Sequence, residues 1–281
     1  MPNRARPLDN FPLMRTQSVE QVRHMLEKMT YAKPMLEPKS QERTLDVSWN
    51  YYQLADVGLG YGAYGAAVNL GIPESDFFLQ LFPIKGKGEL QSGKTTVSLL
   101  PEGGAAVSST IGYNANYSAD YEHLILLINA EALRKKLAAM TGAAIHDPLV
   151  VDPAPDFMQP AARILRDYFM LLVGELSAAA SPLPEWALAE TEQLMMVMFL
   201  CGNRHNYNHL LDRTLPDVAP WQVCRAEEYI EANWNQPIRL EDLAAVAGVS
   251  ALSLFRSFKQ SRGYTPMQFA NQVRWRQKRK H

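Results

Sequence analysis

Residues Leu240 to Lys259 read LEDLAAVAGVSALSLFRSFK, two stretches of helical apolar spacing parted by Gly248-Val249-Ser250. Leu243, Ala244 and Ala247 give one apolar face to a short helix. Its first turn carries Glu241 and Asp242, where negative charge is favourable against the helix dipole. Gly248-Val249-Ser250 then makes a tight turn: the glycine supplies left-handed backbone, Val249 plugs the core, and Ser250 caps the next helix. This is the pattern of a helix-turn-helix. In its second helix Ala251, Leu254, Phe255 and Phe258 are expected to face inward, leaving Leu252, Ser253, Arg256 and Gln260 on the opposite face. Arg256 carries the fork that matches guanine O6 and N7, and an exposed Leu252 suits a thymine methyl. Lys259 and Arg262 fall where phosphates would flank the groove. A solvated arginine is the plain alternative for Arg256. Gly263 ends this helix, and Thr265-Pro266-Met267-Gln268 opens another with a Thr cap, proline at the first helical position and Gln three residues on.

The charge distribution marks the same segment. After Asp242 the last 39 residues carry eight Lys or Arg and no acid, a local balance of +8. The first 242 residues then hold 20 basic and 29 acidic groups, or -9, out of a total of -1. A phosphate-seeking C-terminal end on an acidic body is the reading. An apolar share of 47% over 281 residues predicts buried cores and two domains. The longest apolar run, Leu194 to Cys201, is far short of the roughly 20 residues that span a bilayer. No membrane segment and no secretory signal are expected, and Cys201 and Cys224 read as a reduced cytoplasmic pair.

Upstream, Ser18-Val19-Glu20-Gln21 is a capping box, followed at helical spacing by Val22, Met25, Leu26 and Met29. From about Thr44 to Ile128 short apolar or alternating runs are cut by Gly, Pro and Asn at regular intervals, the signature of a small antiparallel barrel or sandwich. Asn129 can cap a helix through EALRKKLAAM, closed by Gly142. Two long helices, 160–180 and 184–200, then read as an antiparallel hairpin, and RHNYNHLLDRTLPDVAP as an interdomain linker.

Catalytic patterns are weak. Gly60-Tyr61-Gly62-Ala63-Tyr64-Gly65 matches GxGxxG, but no helix start follows and no acid stands where a ribose would need it, so a glycine-rich turn or bulge between strands is expected. The six histidines form no HxH or HExxH, there is no CxxC, and His205 and His209 sit in a polar segment without an adjacent carboxylate. Neither a metal nor a cofactor is expected.

The block AEEYIEANWNQPIRLEDLAAVAGVSALSLFRSFKQSRGYTPMQFANQVRWRQ strongly resembles the first half of the AraC/XylS-type DNA-binding domain. The N-terminal part is similar in order to the effector-binding domain of XylS-like members, through FPLMRTQSVEQVRHML, LADVGLGYGAYG and YSADYEHLILLINAEALRKKL. The resemblance implies an α+β chain: an N-terminal cupin-like antiparallel β-barrel with a helical dimerisation hairpin (residues 1–205), a linker (206–220), and an all-α segment with one helix-turn-helix (221–281). It implies a cytoplasmic, non-enzymatic transcription regulator that binds double-stranded DNA as a homodimer and responds to a small organic effector, an aromatic acid among the candidates. RNA polymerase is a candidate partner. Arg43, Trp49, Tyr51 and Tyr52 are the candidate effector contacts, and Leu252, Ser253, Arg256, Lys259, Gln260 and Arg262 the candidate DNA contacts. Three departures are noted: Arg239 stands where a Ser or Thr cap is usual, Leu252 where many relatives have a polar reader, and the chain reaches His281 inside the bridging helix. A missing second helix-turn-helix and an under-packed Val273 and Trp275 are the corresponding expectations. Two rival readings are a shortened relative that dimerises with complete regulators, and a cupin-type metal enzyme, whose His/Glu ligand set on adjacent strands is not found in the sequence.

Overall fold

The structure, a computed structural model, describes residues 6–39, 44–141, 143–178, 183–211 and 221–278. It divides into two compact units, Met1–Asn208 and His209–His281.

The first unit opens with β1 (Pro12–Thr16), α1 (Val19–Thr30) and β2 (Met35–Pro38). The strands β3 (Val47–Gln53), β4 (Val57–Ala63), β5 (Val68–Ile72), β6 (Phe77–Lys85), β7 (Gly88–Ser92), β8 (Thr95–Leu99), β9 (Ala105–Val107), β10 (Tyr113–Tyr117) and β11 (Glu122–Asn129) follow. They pair antiparallel in two sheets, ordered β1-β3-β4-β11-β6-β9 and β2-β5-β10-β7-β8. Inward side chains of both sheets form one core that includes Val47, Trp49, Leu70, Leu81, Tyr117 and Ile125. The cupin-like barrel expected between Thr44 and Ile128 is therefore present, and the α+β class holds.

The chain continues through α2 (Ala130–Thr141), α3 (Pro160–Ala178), α4 (Glu185–Gly202) and the short α5 (Asn208–Leu211). Asn129 caps α2 as expected, its Oδ1 accepting from the Ala132 amide at 3.0 Å. Gly142, its expected terminator, lies outside the described residues. The helices α3 and α4 pack on one another, and each sets a ring against β6. Phe82 of β6 stacks on Phe169 of α3 at 4.7 Å between ring centroids, and Phe78 meets Phe199 of α4 edge-on at 5.9 Å. Leu79 and Leu81, alternating with these, point into the barrel. β6 is thus buried on both faces, which is why its sequence is a run of apolar residues rather than an alternation.

Three local expectations need correction. Ser18 does cap α1, accepting from the Gln21 amide at 3.3 Å. Gln21, however, bonds to the Thr16 hydroxyl instead of returning to Ser18, and Thr16 Oγ1 takes the Ser18 amide itself at 3.1 Å. Gly60 and Gly62 lie inside strand β4 rather than in a turn or bulge; of that motif only Gly65, at φ +69°, turns the chain. His205 is not a solvated linker residue: it is buried, its Nε2 lies 3.0 Å from the Leu200 carbonyl, and it bridges to Val151. Tyr207 and Asn206 are held in turn by the Asp147 and Pro148 carbonyls, so the first unit extends to Asn208.

The second unit contains α6 (Trp221–Ala232), α7 (Leu240–Ala247), α8 (Ala251–Arg262) and α9 (Pro266–Lys278) around a core of Val223, Ala226, Ile230, Leu243, Ala247, Leu254, Phe258, Ala270 and Val273. Gly248, at φ 66° and ψ 30°, closes α7, and Ser250 Oγ accepts from the Ser253 amide at 3.2 Å to start α8. Arg239 offers no acceptor to the start of α7, yet Asp242 reaches back to accept from the Arg239 amide at 3.2 Å. Thr265 and Gln268 form a complete reciprocal cap for α9.

Two packing expectations fail here. Phe255 is 38% exposed, because the buried stripe of α8 is centred on Leu254 and Phe258 and leaves it on the flank. Val273 is 1% exposed, not under-packed, because α9 lies on α6 and is tied down by Arg274, which donates to the Trp234 and Gln236 carbonyls, and by the Arg276–Glu231 ion pair at 2.9 Å. Trp275 is exposed, as expected.

Candidate effector cavity and DNA-recognition helix

Between the two sheets lies a cavity roofed by Leu26, Met29 and Thr30 of α1 and walled by Trp49, Tyr64, Leu79, Leu81, Tyr113, Tyr117, His123 and Ile125, among others. The space open to the centre of a water molecule is about 40 Å³, room for a few waters.

A glycine stripe creates the aromatic wall. Gly58, Gly60 and Gly62 alternate along β4, so all three face the same way. A Cβ on Gly60 would stand 2.7 Å from Ile125 Cγ1, and one on Gly62 would stand 2.9 Å from both His123 Cε1 and the Trp49 ring. Only hydrogen at these positions lets the rings lie against the strand. His123 is consequently surrounded: Trp49 meets it edge-on at 5.7 Å, while Tyr64, Tyr117 and Tyr121 stack on it at 6.3, 5.7 and 5.3 Å. Tyr117 and Tyr121 are themselves parallel at 4.4 Å.

The cavity is buried and uncharged. Among the described residues no Asp, Glu, Lys or Arg lines it. Burial lowers the His123 pKa to about 3, so the imidazole is neutral, and the same desolvation pushes the Tyr64, Tyr113 and Tyr117 hydroxyls well above their usual range. Trp49 Nε1, Tyr64 Oη and His123 Nδ1 are all buried without a hydrogen-bond partner among the described residues. Buried polar atoms are nearly always paired, so three orphans around one cavity mark a place where a ligand or water completes the set.

Of the residues singled out from sequence, Trp49 lines this cavity. Tyr51, two positions on, points inward but packs on the Gly58 and Gly60 backbone and donates to Gln53 Oε1 at 2.6 Å. Tyr52 alternates to the other face and packs on Phe11 at 4.6 Å. Arg43 lies outside the described residues. Tyr64, Tyr113, Tyr117, Tyr121 and His123 were missed; the four-residue spacing of Tyr113, Tyr117 and Tyr121 was the available signal.

On α8, Leu252 is 60% exposed, and Ser253, Arg256, Lys259 and Gln260 are exposed with it. Arg256 has no ion-pair or hydrogen-bond partner among the described residues, whereas Lys259 Nζ lies 3.5 Å from the Gly263 carbonyl. Arg262 differs from the others. Its guanidinium grips Glu227 of α6 through two bonds of 2.9 and 2.8 Å, joining the end of α8 to α6.

Among the described residues no three His, Cys, Asp or Glu side chains converge as a metal-ligand group, no helix is long and apolar enough to cross a membrane, and Cys201 forms no disulfide.

The AraC-binding-like domain family matches residues 29–201, more than half of the chain, from the end of α1 through β2–β11 and nearly all of the α3–α4 hairpin. The chain belongs to that family. In overall fold this AraC-binding-like chain is similar to the crystal structure of the AraC-like transcriptional activator CuxR, with a TM-score of 0.52 and 15% identity over 95% of this chain and 94% of that one. The probable thc operon regulatory protein of Rhodococcus erythropolis is 31% identical over 161 residues, 56% of this chain and 47% of that protein, so the chain spans about half the length of this curated relative. A solved probable AraC family transcriptional regulator from Rhodopseudomonas palustris CGA009 is 50% identical over 19% of this chain and 50% of its own, with a TM-score of 0.19.

Proposed function

We propose that this AraC-family chain is a transcription regulator that docks α8 in the DNA major groove and responds to a small molecule held in the barrel. The observation that carries the reading is α8 itself: a helix anchored by Leu254 and Phe258, started by a capped turn at Gly248–Ser250, and presenting Arg256 outward with no partner among the described residues. Arg256 reads guanine, Leu252 contacts a thymine methyl, and Ser253 and Gln260 lie along the same groove. Lys259 contacts phosphate; Arg262 can do so only by sharing its guanidinium with Glu227. Arg256→Ala is expected to lose about 1–3 kcal/mol at one guanine position and to relax preference there alone. Lys259→Ala weakens binding to every sequence about equally and reduces the salt slope by roughly one. Titration of the purified protein against a duplex and its single-base variants, at several salt concentrations, separates the two.

The regulator acts as a homodimer through the α3–α4 hairpin. Ile164 and Leu171 of α3 and Trp186 and Leu194 of α4 are large apolar side chains left exposed, beyond those the hairpin buries against β6. Leu171→Glu is expected to convert the protein from dimer to monomer in light scattering without lowering its unfolding temperature. A wild-type monomer would remove this part of the proposal.

A further inference from the structure

Resting on the reading of the barrel as the effector-binding module, the inference concerns the chemistry of the effector. We propose that the cavity takes an uncharged, flat, mostly apolar molecule bearing one hydrogen-bond acceptor, held by Trp49 Nε1, and that it rejects carboxylates. This departs from the aromatic acid that the sequence led us to expect. The wall is aromatic and aliphatic, and none of its described residues carries a charge. An anion placed there would be desolvated with no cation to receive it, which is far more costly than burying a neutral amide or carbonyl that finds a donor. Trp49 supplies such a donor: its indole N–H is buried, borders the cavity and has no acceptor among the described residues. Tyr64 Oη and His123 Nδ1, also buried and unpartnered, are there to meet a second polar group of the ligand. The parallel rings of Tyr64 and Tyr117, 5.8 Å apart at centroid, favour a flat ligand. Met29 of α1, in the roof, is the most adaptable side chain in the lining and the one that can shift to fit a ring-sized effector.

Benzamide and benzoate test this, since they match in shape and differ in charge. In calorimetric titrations of the full chain at pH 7, benzamide is expected to bind about tenfold or more tightly than benzoate. Between pH 7 and pH 5 the apparent affinity for benzoate should rise in proportion to its protonated fraction while that for benzamide stays constant. The titratable groups facing the cavity are Tyr64, Tyr113, Tyr117 and His123, and none changes charge over that range. Trp49→Phe should weaken benzamide by about tenfold and leave toluene, which has no acceptor, unaffected. Benzoate binding within tenfold of benzamide at pH 7 would overturn the uncharged class while leaving the barrel an effector site. If neither compound binds nor raises the unfolding temperature, the effector-binding reading fails and this inference with it.

Discussion

Phe258→Ala is expected to unfold the helix-turn-helix unit and abolish DNA binding while leaving the unfolding transition of the barrel in place. Phe258 is fully buried where α6, α7, α8 and α9 share one core, together with Leu254, Ile230 and Val273. Truncating such a residue costs about 3–5 kcal/mol, through lost transfer free energy and the cavity left behind. A core as small as that of His209–His281 contributes net stability of about the same size. The barrel has a separate core, so the mutation should not reach it. Differential scanning calorimetry should show one transition disappearing and the other unchanged. Leu252→Ala provides the contrast: that side chain is exposed, so its loss should change DNA contacts without a comparable change in melting.

The second large effect is acid sensitivity centred on His123. Its pKa falls from 6.5 to about 3 in the fold because burial excludes the charged imidazolium. Between those values the unfolded chain holds a proton that the folded chain does not, so stability rises with pH across this window. The contribution is complete above pH 6.5 and lost progressively as pH falls toward about 3. At pH 4 the loss amounts to roughly 3 kcal/mol. His123→Leu removes the titrating group without breaking a hydrogen bond at Nδ1, which has no partner among the described residues. Urea unfolding of the two proteins at pH 7 and pH 4 should show a much steeper acid loss for wild type than for His123→Leu. Parallel losses would mean that His123 is solvated or charged in the fold.

How far each feature could be read from sequence depends on the range of the interactions behind it. The helix-turn-helix rests on local rules, namely Gly248 in left-handed backbone, Ser250 as cap and the spacing of Leu254 and Phe258, and all of these are legible within twenty residues. Cap partners were less so: whether Gln21 returns to Ser18 or turns to Thr16 depends on where β1 delivers the Thr16 hydroxyl. The cavity was legible only at Trp49. His123 and Tyr64 become neighbours through the pairing of β4 with β11 and the turn at Gly65, contacts between residues about sixty apart in the chain that no local pattern records. GxGxxG misled for the same reason. Its glycines are there to make room for rings from β3 and β11, a requirement visible only once the strands are aligned. Arg262 shows the converse limit, since its basic character suggested phosphate while Glu227, thirty-five residues earlier, already holds it.

The central claim, that α8 reads DNA sequence through Arg256, is tested most directly by selecting bound duplexes from a random pool with the purified chain and with Arg256→Ala. Wild type is expected to enrich one motif containing a fixed guanine, and Arg256→Ala to enrich the same motif with that single position degenerate. Recovery of unenriched DNA by wild type, or of an identical motif with the guanine intact by Arg256→Ala, would contradict it.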